Sequence, residues 1–199
     1  MTHWHSSAQT RQELLGYVGD ISQVGGVRLL TLADGPERGL RAAELRTAAG
    51  LQFIVYLDRG MDIGPAEYKG VPLAWISPTG PSAPSFYEPQ GLGWLRTFHG
   101  GLLTTCGLTQ VGPPGEDGGE KLGLHGRISH IPARQICQGD EWNGNTYIFW
   151  IEGRMREVSV FGHDLELKRR ISARLDEPGL VIEDRVNRKT ISLAASRAL

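Results

Sequence analysis

The sequence predicts an all-β protein, an antiparallel β-sandwich with one short helix near its N-terminus. Three observations predict it. Short segments with the two-residue period of a half-buried strand recur along most of the chain, and they are rich in β-branched and aromatic residues. Twenty-seven glycines and eleven prolines cut them into pieces too short for most helices. No recurring helical pattern lies between them, so parallel crossovers cannot be built and antiparallel pairing is left.

The first regular segment is SSAQTRQELLGYVGD, where Ser7 can cap a short helix and Leu14, Leu15 and Val18 fall near one face. Residues 1–20 are therefore expected to form an N-terminal segment around that helix. After Gly19 the character changes, and 21–186 reads as the sandwich. Its candidate strands are VRLLTLAD, LRAAELRT, LQFIVYLD, GVPLAWIS, GGLLTTCGL, RQICQGD, NTYIFWIEGRM, LELKRRISARL and GLVIEDRV. LELKRRISARL alternates best: Leu165, Leu167, Ile171, Ala173 and Leu175 share one side with Arg169, the single misfit. A helix could carry the same residues, but the bounding turns at His163-Asp164 and Glu177-Pro178-Gly179 favour sheet.

Two long irregular segments interrupt the strands. SPTGPSAPSFYEPQGLGWLRTFHGG carries Phe86, Tyr87, Trp94 and Phe98, which a solvated linker does not need, and loops of this length tend to be functional. VGPPGEDGGEKLG is polar, without aromatics, and reads as a flexible surface excursion. It lacks the Gly-Lys-Ser/Thr ending of a phosphate loop. From residue 187 to 199, NRKTISLAASRAL loses alternation and reads as an irregular tail.

Bulk properties exclude several functions. A net charge of −1 provides no broad cationic surface for a phosphate backbone, so a nucleic-acid partner is not expected. No apolar run reaches the ~18 residues of a membrane span, and the N-terminus lacks a charged and then apolar leader, so no membrane partner is expected and the chain is placed in the cytoplasm. Cys106 and Cys137 alone define neither a disulfide framework nor a four-ligand zinc site.

LGLHGRISHIPAR poses the sharpest chemical question, because His125 and His130 could form a reactive pair. On a strand, an odd separation sends the rings to opposite faces. On a helix the same spacing puts them roughly 140° apart. Neither geometry converges both on one ion, so no metal site and no other cofactor is expected. His125 is the better single candidate, since Gly126 beside it permits close backbone approach to a ligand.

GLRAAELRT, LDRGMDIGPAEYKGVPLAWISPTG, GLGWLRTFHGGLLTTCGL, LHGRISHIPAR, FGHDLELKRRIS and VIEDRV, in this order, resemble the galactose mutarotase-like superfamily. They are most similar to its bacterial aldose 1-epimerase-like branch, and the resemblance runs from Leu14 to Val186. It implies a large sandwich with a carbohydrate cleft, and a function of binding or converting a hexose or hexose derivative in carbohydrate metabolism. In such enzymes a carboxylate base takes the anomeric hydroxyl proton while a histidine acid protonates the ring oxygen. His125 matches the sugar-contacting histidine of the His-Gly motif and is the implied catalytic residue. Arg59, Asp62, His99 and Arg127 are implied substrate contacts by motif position. The region that carries the glutamate base in the resembling proteins has no counterpart here, so the sandwich is expected to be incomplete at its C-terminus. A binding module without catalysis is the alternative.

Each candidate has a structural alternative. Arg59 and Asp62 could form an internal salt bridge that pins a tight turn, and His99 could be a strand-end histidine bonded to backbone. Trp94 and Trp75 could stack on a pyranose or fill the core. Arg127 offers a rigid fork of donors to vicinal hydroxyls and would disfavour protonation of a neighbouring histidine. Cys106 reads as core packing. An incomplete sandwich leaves open sheet edges, so marginal stability and self-association are expected; a monodisperse monomer with a cooperative, high-temperature melt would contradict this.

Overall fold

The computed structural model describes residues 10–160 and 162–188. The helix α1 spans Arg11–Tyr17 and starts at Thr10, whose hydroxyl accepts from the Glu13 amide while the Glu13 carboxylate accepts from the Thr10 amide, a reciprocal capping box. Ser7 lies outside the described residues. Leu14 rests against the core from the side.

Two antiparallel sheets make the body. The first runs β1 (Gly26–Thr31), β2 (Arg41–Arg46), β3 (Leu51–Tyr56), β4 (Asp62–Tyr68) and β5 (Val71–Pro72), each paired with the next. After a hairpin of β6 (Gly115–Asp117) and β7 (Glu120–Leu122), the second comprises β8 (Arg134–Asn143), β9 (Thr146–Val158), β10 (Asp164–Arg174) and β11 (Leu180–Arg188), again in sequential order. Local pairing of neighbours is what short turns between alternating strands dictate. β11 includes Asn187 and Arg188, residues expected in the tail, because its pairing with β10 continues to Leu165 opposite Arg188.

Side-chain alternation builds the core. Phe53, Val55 and Ile63 of the first sheet meet Phe149, Ile151, Met155, Leu167 and Ile171 of the second, all buried. Such burial of apolar surface, at about 25 cal/mol per Å², is the main force holding the layers together. Ile151 and Ile171 sit directly opposite one another across β9 and β10.

Three expected elements differ. GGLLTTCGL contributes only single bridges, such as Leu103 to Ile63, rather than a strand. Gly100 and Gly101 both have positive φ, which breaks extended backbone there. GVPLAWIS is strand only at Val71–Pro72, and β4, across DIGPAEY, was not among the expected strands. The polar GEDGGEK segment is an ordered hairpin, closed by Gly118 and Gly119 with positive φ between β6 and β7.

The misfit Arg169 finds its reason here. It points inward with the apolar residues and is 3% exposed, but lies directly opposite Asp184 on β11 and Gly153 on β9. Its Nε and Nη2 donate to the two oxygens of Asp184 at 2.8 and 2.7 Å, and its Nη1 donates to Thr105 Oγ1 at 2.6 Å and to the Gly60 carbonyl at 3.2 Å. The second sheet is thereby latched to the turn between β3 and β4.

Candidate functional site

The turn LDRGMDIG sends its two charged residues in different directions. Arg59 is fully buried, and its guanidinium gathers three loops: Nε donates to the Ser129 carbonyl at 2.7 Å, Nη1 to the Ser82 carbonyl at 2.9 Å, and Nη2 to the Thr97 carbonyl at 2.9 Å. Nη2 also donates to His130 Nε2 at 3.0 Å. Burial lowers the guanidinium to about 10, against the pull of Asp62, and at neutral pH it stays charged. Asp62, equally buried, accepts from the Thr105 amide and hydroxyl at 2.8 and 2.6 Å and lies 3.9 Å from Arg169. Its Oδ2 has no hydrogen-bond partner, and burial pushes its pKa to about 7 in spite of Thr105 and Arg169. The two side chains form neither a mutual ion pair nor a surface contact; each anchors a different loop.

Arg59 also fixes the state of His130. An arginine can only donate, so His130 Nε2 must be the acceptor, and the ring proton sits on Nδ1, facing Ser129 Oγ at 3.1 Å. Thr97 Oγ1 lies 2.8 Å from the same Nε2. Burial, helped by Arg59, depresses the imidazole pKa to about 2, so the ring is neutral. Tyr87 stacks on it, with centroids 4.0 Å apart and planes at 17°, and donates its hydroxyl to the Gly126 carbonyl at 3.0 Å.

Above this buried layer lies a cleft of about 360 Å³, bounded by Tyr87 and His130, by Gly126 and Arg127, by Lys121 of the hairpin, and by the end of β9 with His163. Gly126 is required at this wall. Its φ is +73°, and a Cβ there would stand 2.5 Å from the Gly107 carbonyl oxygen. Glu157, 3% exposed, lines the cleft with both carboxylate oxygens engaged, one by the Leu108 amide at 3.0 Å and the other by the Thr109 hydroxyl at 2.7 Å. The His163 ring nitrogen Nε2 is 3.8 Å from it.

Of the residues that sequence singled out, Arg127 lines the cleft and is exposed. His125 is half-buried, held at φ +56°, a conformation unusual for a residue with a Cβ. Its Nδ1 accepts from the Gly112 amide at 3.2 Å, leaving Nε2 as the protonated nitrogen of the neutral ring. The ring packs edge-on to Trp94 at 4.9 Å, behind the wall formed by its neighbours. Trp94 is 4% exposed and donates its indole N–H to Ser129 Oγ at 3.1 Å, so it supports the cleft from beneath. His99 is 1% exposed, with neither ring nitrogen hydrogen-bonded, edge-on to Tyr56 at 5.1 Å; burial lowers its pKa to about 3. Trp75, in contrast, is exposed. Among the described residues no group of three or more His, Cys, Asp or Glu side chains could hold a metal ion. No helix among them is long and apolar enough to cross a membrane.

The sequence reading set His130 aside and did not reach Tyr87, Lys121, Glu157 or His163 as site residues. The aromatic content of the Pro- and Gly-rich loop was the one signal for Tyr87. Glu157 and His163 meet only because the turn between β9 and β10 folds back, which spacing alone does not reveal.

A family model described as a domain of unknown function (DUF4432) matches residues 37–196. The chain belongs to this family. Among solved structures, a Klebsiella pneumoniae subsp. pneumoniae MGH 78578 protein provisionally named an aldose 1-epimerase superposes with a TM-score of 0.74 at 22% identity, over 83% of this chain and 45% of that one. The galactose 1-epimerase of Lactobacillus acidophilus NCFM aligns at 13% identity and a TM-score of 0.44, over 74% of this chain and 44% of its own, and carries no argument. The chain thus spans less than half the length of either. No curated protein matches it. The fold of this DUF4432 chain is the galactose mutarotase-like sandwich, in agreement with the resemblance seen in its motifs.

Proposed function

We propose that this chain is the carbohydrate-binding part of an aldose 1-epimerase-like protein and takes a hexose or hexose derivative in the cleft beside Arg127. The observation that supports this most is the cleft itself. It is of small-molecule size, walled by an aromatic ring, two histidines and ready hydrogen-bond donors, on a fold shared with a protein named for that activity.

Epimerisation at the anomeric carbon needs a proton delivered to the ring oxygen and one removed from the anomeric hydroxyl. The C1–O5 bond then breaks to the open aldehyde, and after rotation it reforms with both protons returned. His125 is the ring-oxygen partner in this reading: with Nδ1 accepting from Gly112, its Nε2–H is left free to hydrogen-bond and polarise that oxygen, and the proton itself comes from solvent. Reaching the sugar requires the 125–127 turn to present that edge to the cleft. Binding without catalysis is the second reading, and Glu157 favours it, because this carboxylate is 3% exposed and is used to hold Leu108 and Thr109 rather than presented to the cleft.

NMR anomer exchange of freshly dissolved α-galactose and α-glucose separates the two. Acceleration over buffer that is lost in His125→Ala supports the enzyme. Binding without acceleration supports the module. Absence of both binding and acceleration removes the carbohydrate reading.

A further inference from the structure

We infer that the sugar taken by this cleft carries an anionic group, a carboxylate or a phosphate ester, which Arg127 and Lys121 recognise. The inference rests on the carbohydrate reading above and specifies its substrate class. It comes from sorting the charged side chains of the cleft by whether the protein already satisfies them.

Three are already satisfied. Arg156 donates through Nε to Asp164 Oδ1 at 2.7 Å and through Nη2 to Asp164 Oδ2, so its charge is matched. Glu157 has both oxygens hydrogen-bonded by Leu108 and Thr109, though its charge remains. His130 is neutral, and both of its nitrogens are bonded. Arg127 and Lys121 differ. Both line the cleft, both are exposed, and among the described residues neither side chain forms a hydrogen bond or an ion pair. They arrive from separate elements, Lys121 from β7 and Arg127 from the turn after it.

Glu120 is the exposed carboxylate on the same lining, and it can offset one of the two cations. Lys121 and Arg127 are thus the two cations of the lining whose donors no protein group has taken up, in a concave space that concentrates their field, while buried Glu157 is engaged with the 108–109 loop. A neutral hexose asks only for hydrogen bonds. A guanidinium fork matches the paired oxygens of a carboxylate or phosphate, and an ammonium adds a point charge beside it.

Calorimetric titration of the whole chain with D-galactose, D-glucose, D-galacturonate and D-glucose 6-phosphate tests this. The acidic sugars are expected to bind about tenfold or more tightly than the neutral ones at low salt. That advantage should shrink at about 0.5 M NaCl. Arg127→Gln and Lys121→Gln, both at exposed positions, should each lower the acidic-to-neutral affinity ratio, and the double variant should bring it near one. Inorganic phosphate that competes with galacturonate supports recognition of the anion itself. Equal affinity for the two classes, or a ratio unmoved by both substitutions, overturns the inference and leaves the carbohydrate reading standing. Failure of all four sugars to bind overturns that reading as well.

Discussion

Arg169 shows at the scale of one residue how a break in a pattern becomes a structural statement. A cation on the apolar side of an alternating strand can be tolerated only with partners, and Asp184, Thr105 and two backbone carbonyls supply them. The misfit was legible from sequence. Its partners were not, because strand register and the path of the β3–β4 turn decide who stands opposite. Removing the cation strands buried acceptors and the Asp62 carboxylate, so Arg169→Leu is expected to cost about 3–5 kcal/mol in urea unfolding. Asp184 is 37% exposed, and water can replace part of its role, so Asp184→Asn is expected to cost about 1 kcal/mol. Equal costs would contradict this view of the latch. Arg59 was equally visible as part of a motif, yet a motif could not say that its donors all point into the protein.

Among the elements, β8 to β11 were the most legible, since long alternating runs bounded by turns leave little choice of register. The cleft-forming loops were the least legible. Their shape depends on long-range contacts such as Arg59 to Ser82, Thr97 and Ser129. The β6–β7 hairpin carried a readable Gly-Gly turn signal, but its polar composition suggested an excursion rather than a wall. Gly126 is the point where loop shape and site meet. Gly126→Ala places a methyl group against the Gly107 and Gln110 carbonyls at a positive φ, and is expected to cost about 1–3 kcal/mol while shifting the NMR resonances of the 107–112 and 125–131 segments together. Confinement of the changes to one segment would show that the two loops are not coupled through this glycine.

For the whole molecule, buried titratable groups set the pH dependence of stability. His99 and His130 are held neutral, with pKa values near 3 and 2, whereas in the unfolded chain they protonate near 6.5. Their contribution is present above that value and lost on acidification. Asp62 acts in the opposite sense. Its folded pKa, near 7, exceeds its unfolded value of 3.8, so its contribution is present below about pH 4 and lost as pH rises through 7. Between about pH 4 and 6 the unfolded chain therefore holds two extra protons on the histidines and the folded chain one on Asp62. From these groups, stability should rise by about 1.4 kcal/mol per pH unit in that window, and by about twice that in Asp62→Asn. A slope unchanged by the substitution would show that Asp62 is ionised in the fold. The account as a whole rests on the cleft beside Arg127 being where a sugar sits, and backbone amide NMR of the chain titrated with galactose and galacturonate addresses that most directly. The expected result is saturable shifts concentrated at Tyr87, Gly126, Arg127, His130 and the end of β9; shifts centred on exposed Trp75 instead, or none at saturating sugar, would contradict it.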